Sequence, residues 1–216
     1  MIVGKQKPLS EIREMIADYQ KVLIVGCGTC VTICFAGGER EVAILASSLR
    51  MADKIDGKKR VFSEYTVKRQ CEREFLEELD DKVKEVEAVL SLACGIGVQA
   101  LAERFPTTPI LPGLNTSFLG FPDEHGVWSE TCSACGDCIL DQTGGICPIT
   151  RCTKSLLNGP CGGTNDGKCE VDPEKDCAWT LIYQRLEKQG KLDLMRKYYP
   201  PRNFQVVIRP GKIKME

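Results

Sequence analysis

Residues 21–38, KVLIVGCGTCVTICFAGG, decide the fold. Lys21 to Gly26 is a short, unbroken apolar run that ends in glycine, the pattern of a strand buried on both faces of a parallel sheet. The run leads directly into a turn carrying Cys27, Cys30 and Cys34. Gly37-Gly38 then breaks the chain before a helix expected from Glu39 to about Met51, with Val42, Leu45, Ala46 and Leu49 facing inward. Upstream, residues 8–20 place Leu9, Ile12, Ile16 and Tyr19 on one side of an amphipathic helix. Downstream, residues 59–66 alternate in the manner of a second strand. A long helix is expected from about Arg69 to Val86, its charges a solvated face over Phe75, Leu79 and Val83. Ala88–Ala93 reads as a third strand, followed by a helix from Cys94-Gly-Ile-Gly to about Phe105 and a weaker fourth strand at 108–112.

Alternating strands and helices predict an α/β fold: residues 1–115 form a parallel, Rossmann-like layer domain with right-handed crossovers. Residues 116–216 are expected to form a hairpin (115–130), a cysteine-rich segment, C-terminal helices and a tail. In this second part Asp172, as N-cap, and Pro173 predict a helix start. Gly190 predicts its end, a further helical turn or two is expected in LDLMRKYY, and a short strand at Phe204–Ile208.

The chain has 216 residues, a formal net charge of −1, thirteen cysteines and one histidine. That charge balance argues against nucleic acid as a main partner. The N-terminus has no hydrophobic segment of the export type and no apolar run reaches membrane-spanning length, so a cytoplasmic location is expected. Thiols there stay reduced, which turns the cysteines from a disulfide framework toward metal binding. His125 reads as a solvated turn residue, and histidine-based zinc chemistry lacks ligands.

Five cysteines precede residue 115. Cys27 ends the first strand, Cys71 follows the second and Cys94 ends the third. All three fall near the carboxyl ends of parallel strands, where open α/β sheets hold ligands. With Cys30 or Cys34 added, four thiolates can meet there. The loop around Gly26 and Gly28 matches a dinucleotide fingerprint poorly, because Val31 occupies the third glycine position.

The remaining eight are Cys132, Cys135, Cys138, Cys147, Cys152, Cys161, Cys169 and Cys177. The C-x2-C-x2-C triple, with a distant fourth cysteine followed by Pro148, is the ferredoxin-like habit, whereas zinc sites of four cysteines show paired C-x2-C knuckles. Iron–sulfur is favoured over zinc. Eight cysteines make two four-thiolate sites, and their grouping stays open. Phe118, Phe121 and Trp128 are either a cover over a cluster or ordinary core.

The stretches GCGTCVTICFAGGEREV, GPCGGTNDGKCEV and DCAW resemble the small cysteine-rich V subunit of bacterial methylenetetrahydrofolate reductase. The resemblance extends over nearly the whole chain and implies two or three [4Fe–4S] clusters, with zinc as the alternative metal. It implies as partners a TIM-barrel reductase subunit holding flavin and, as donor, a ferredoxin or an electron-bifurcating complex. By the same resemblance Cys27, Cys30 or Cys34, Cys71 and Cys94 hold one cluster and the cysteines from 132 to 177 the rest. The residues themselves show no catalytic acid–base pair and no flavin site, so the expected role is non-catalytic electron transfer, or alternatively a zinc scaffold. The tail from Pro200 to Glu216 is the expected partner contact.

Overall fold

The computed structural model describes residues 1–207 and 210–213, and the chain divides into two compact units, Met1–Trp128 and Ser129–Glu216. The first unit runs β1 (Ile2–Gln6), α1 (Leu9–Met15), β2 (Lys21–Cys27), α2 (Cys30–Ile33), α3 (Glu39–Ile55), β3 (Val61–Val67), α4 (Arg73–Leu76), α5 (Asp80–Lys84) and β4 (Ala88–Leu92). It continues with α6 (Gly95–Arg104), β5 (Ile110–Pro112), β6 (Leu114–Glu124) and the start of β7 (Val127–Cys132).

Strands β3-β2-β4-β5 form a parallel sheet in that order, so the fold is α/β as expected. Every residue of β2 after Lys21 and every residue of β4 is buried. Such strands need a layer on each face. Alternation along the strand delivers it. Val22 and Ile24 pack with Ile12 and Ile16 and with Val42, Leu45, Ala46 and Leu49 of α3. Leu23 and Val25 point the other way, against Leu76, Leu79, Val83 and Leu101. Strand order reverses at β2, so its carboxyl end and that of β4 flank the topological switch point.

Beside Val61 a buried ion pair closes the far end of this layer. Arg60 Nε donates to Asp53 Oδ2 at 2.8 Å and its Nη1 to the Ile16 carbonyl at 3.0 Å, which ties the end of α1 to α3.

Four features depart from the sequence reading. The first is β1, which pairs antiparallel with β6 from Ile2↔Leu119 to Gln6↔Leu114, in a three-stranded sheet of order β1-β6-β7. Its partner lies over a hundred residues away, beyond any local signal. The second is the long helix expected over 69–86, which is instead α4, a 3-10 turn at Glu77–Leu79, and α5. Gln70 is drawn wholly into the core to bond β2 and β4, and a residue held there cannot lie on a solvated helix.

In the second unit lie a 3-10 turn at Leu140–Gln142, α7 (Pro148–Arg151), α8 (Ala178–Lys188) and 3-10 turns at Leu192–Arg196 and Phe204–Val206. Trp179, Ile182 and Leu186 of α8 form its core with Ile146, Leu156, Leu194 and Met195 around them. The third departure is that this helix starts later than Asp172 and Pro173 predict. Asp172 Oδ1 accepts the Glu174 N–H at 3.2 Å and closes a turn, while the Cys177 N–H bonds the Gly167 carbonyl at 2.7 Å and holds the chain in a knuckle until Cys177. Gly190 follows the helix at φ +67°. The fourth departure is the tail: Phe204–Val206 is a 3-10 turn where a strand is expected, and Ile208 lies outside the described residues.

Candidate metal centres

At the carboxyl edge of the parallel sheet, Cys27 is the last residue of β2, Cys71 sits in the turn after β3, and Cys94 is the N-cap of α6 just after β4. All three lie along this one edge, Cys27 and Cys94 near enough to Cys71 for their charges to act on it. Burial pushes the Cys71 thiol up, and the neighbouring Cys27 and Cys94 raise it further, as like charges crowding one place do. Cys30 opens α2 and is half-buried. Cys34 goes elsewhere: it is buried among the core residues, its Sγ 3.5 Å from both the N–H and the carbonyl of Gly4 on β1 and 3.6 Å from the Val31 carbonyl. Burial raises its thiol above the ordinary range.

Tight local packing holds this turn. The Cys27 N–H bonds the Gly37 carbonyl at 2.9 Å, and the Thr32 hydroxyl donates to the Cys27 carbonyl at 2.8 Å. Gly37 is required by close approach, since a Cβ there would fall 1.9 Å from the Leu92 carbonyl oxygen on β4.

Gln70 is the residue that sequence reasoning misses. It has no exposed surface. Its Nε2 donates to the carbonyls of Val25 at 2.9 Å and Gly26 at 3.0 Å, and its Oε1 accepts the Ser91 hydroxyl at 2.7 Å. One side chain thereby clamps the ends of β2 and β4 and fixes the loop that carries Cys71. A polar residue next to a cysteine in a charged stretch gives no sequence signal of such burial.

Of the aromatic residues, Phe118 and Trp128 pack against the first unit's core, while Phe121 is exposed. His125 is in the hairpin turn, its ring 5.4 Å from that of Phe35.

The second unit holds the other eight cysteines. Cys132 ends β7 and its Sγ accepts the Ala134 N–H at 3.4 Å; the Cys135 thiol donates to the Asp137 carbonyl at 3.4 Å. The Thr150 hydroxyl donates to the Thr131 carbonyl at 3.0 Å, which lays α7 beside this loop. Cys147 is the N-cap of α7 and Cys152 its C-cap, so this one-turn helix has a cysteine at each end.

Cys152, Cys161, Cys169 and Cys177 line a single cavity, walled also by Leu156, Ala178 and Trp179. The Trp179 indole N–H is fixed to the Leu156 carbonyl at 3.0 Å. Hydrogen bonding favours the thiolate at two of the four. The hydroxyl of Thr153 lies 3.5 Å from the Cys169 sulfur and holds its thiol below the usual range, helped by the N–H groups of Val171 and Asp172. Burial pushes the Cys177 thiol up, but the Thr180 hydroxyl, the Thr180 and Trp179 N–H groups and the Thr164 hydroxyl together outweigh it and leave it lowered. Cys161 is exposed, and its thiol donates to Glu170 Oε1 at 3.5 Å.

Among the described residues no three His, Cys, Asp or Glu side chains converge on one point as a group able to hold a single ion. The cavity among four cysteines, with hydroxyl and amide donors directed at the sulfurs, has the donor chemistry of a four-thiolate centre. No helix among the described residues is long and apolar enough to cross a membrane.

Residues 111–205 match the family described as "Methylene-tetrahydrofolate reductase C terminal". The matched region contains all eight cysteines from Cys132 to Cys177 and excludes most of the parallel sheet. Neither a curated protein nor a solved structure matches the chain.

Proposed function

We propose that this chain is the iron–sulfur electron-transfer subunit of a methylenetetrahydrofolate reductase complex. It takes electrons from a ferredoxin-like or electron-bifurcating donor and delivers them to the flavin of a partner TIM-barrel catalytic subunit. One observation carries the reading: four cysteines, Cys152, Cys161, Cys169 and Cys177, line one cavity inside the region that matches the reductase family.

That cavity also suggests how the cysteines divide. Cys132, Cys135, Cys138 and Cys147 are left to a centre at the start of α7, and Cys27, Cys30, Cys71 and Cys94 to one at the sheet edge. Cys34, turned into the core against Gly4, is the spare. When bound, [4Fe–4S] clusters supply one-electron carriers. The residues of this chain hold the sulfurs at fixed places, as Gln70 does, and set their charge by hydrogen bonds, as Thr153 does.

The test is anaerobic purification with iron, acid-labile sulfide and zinc measured on one sample. About eight to twelve irons per chain with matching sulfide supports the relay. Near-stoichiometric zinc without sulfide refutes it and leaves a scaffold subunit. Cys94→Ala is expected to abolish donor-driven turnover in the complex.

A further inference from the structure

The segment that follows Cys152 and the residue that follows Cys169 meet beside the second unit's cavity. Thr153 reaches the Cys169 sulfur at 3.5 Å, and Lys154 pairs with Glu170, whose carboxylate lies 3.5 Å from the Cys161 sulfur. In the free thiol either the Thr153 hydroxyl or the Cys169 sulfur can donate. A metal-bound thiolate has no proton, so the hydroxyl becomes the donor. The same loss of a proton ends the donation from Cys161 to Glu170 and leaves a carboxylate facing a thiolate. Lys154 offsets that charge in part.

Two opposing influences therefore act on one thiolate set. Reduction adds one electron and no proton to the bound centre, so the reduced form carries one more negative charge. A hydroxyl donating to a ligand sulfur stabilises that form more than the oxidised one, and a nearby carboxylate does the reverse. At Cys177 the Thr180 hydroxyl and the N–H groups of Trp179 and Thr180 act in the same direction as Thr153 does at Cys169. At Cys135 the contact is with a carbonyl oxygen, so donors are not a uniform feature of the cysteine-rich segment.

We propose that Thr153 is a positioning residue that raises the reduction potential of the centre held by Cys152, Cys161, Cys169 and Cys177, and that Glu170 lowers it. The proposal rests on the iron–sulfur reading above. It gives the second unit an electron-accepting centre whose potential is moved in opposite directions by two residues outside its ligand set.

The test is a redox titration of the full-length, cluster-loaded chain, followed by electron paramagnetic resonance, with iron and sulfide counted in each variant. Thr153→Val, which keeps the shape and removes the hydroxyl, is expected to shift one midpoint to more negative potential. The shifted signal is the one missing from Cys169→Ala. Thr153→Ser, which restores a hydroxyl, is expected to return the midpoint to the wild-type value, and Glu170→Gln to move it to more positive potential. An unmoved midpoint in Thr153→Val with iron at the wild-type level overturns the proposal and leaves the relay standing. Loss of about four irons per chain from Thr153→Val makes the residue structural and also overturns it. Zinc without iron or sulfide in the wild-type chain overturns the relay and the proposal together.

Discussion

Gln70→Leu keeps roughly the volume of the side chain and removes every polar contact it makes. Three hydrogen bonds go, at 2.9, 3.0 and 2.7 Å. At about 1 kcal/mol net for each bond to Val25 and Gly26, and about 2 kcal/mol for the fully buried Ser91 hydroxyl left without its acceptor, the cost comes to roughly 4 kcal/mol. A domain has only about 5–15 kcal/mol of stability to lose. With a urea dependence of about 2 kcal/mol per molar, the midpoint of the first unit should fall by about 2 M. Anaerobic urea titration with pulsed hydrogen exchange, reading peptides that contain β2 and β4, isolates this unit from the other. Gln99→Leu is the control, because Gln99 also donates to a backbone carbonyl, that of Gly95 at 2.9 Å, but at an exposed site. It should cost under about 0.5 kcal/mol. Gln70→Leu is also expected to deplete metal at the sheet edge, since the loop bearing Cys71 loses its anchor. A midpoint within about 0.5 M of wild type, with metal content intact, would refute the clamp.

Further outcomes follow from the same geometry. Cys34→Ala should cost about 1 kcal/mol, as for a small buried deletion, and leave metal content unchanged, whereas Cys30→Ala should strip the sheet-edge centre; metal analysis of the two side by side decides which thiol is the spare. In metal-stripped protein at neutral pH, iodoacetamide should label Cys169 before Cys71, read by mass spectrometry. The Thr153 hydroxyl favours the thiolate at Cys169, while partial desolvation and two neighbouring cysteines disfavour it at Cys71, although Cys71 is the more exposed of the two. The sign follows: the Cys169 thiolate gains from folding above the ordinary thiol pKa, and that gain is lost as pH falls through the lowered one. Asp53→Asn should destabilise the first unit by about 3–5 kcal/mol by stranding the Arg60 charge, while Asp53→Leu with Arg60→Met should cost far less. Equal losses in chemical denaturation would contradict the view that the pair supplies charge compensation and little net stability.

The residues 21–26 and 88–92 carry their own structural meaning. A fully apolar run too short for a helix has to be a buried strand, so the parallel sheet and the cysteines at its carboxyl ends were legible from local pattern. So were the inward face of α3 and the hairpin at Gly126. Other features depend on partners distant in sequence. β1 exists because Ile2 and Val3 find β6, and 69–86 is broken because Gln70 is pulled between β2 and β4. α8 waits until Cys177 because the knuckle around Gly167 uses the residues before it. The eight C-terminal cysteines show the division most plainly. Their number and their turn-rich spacing are the grounds for expecting thiolate centres, because those are properties of the residues themselves. That Cys152, Cys161, Cys169 and Cys177 share one cavity, and that Cys34 turns away to Gly4, is decided by how the chain wraps. Which sulfurs face each other depends on long-range packing, and spacing along the chain does not encode it.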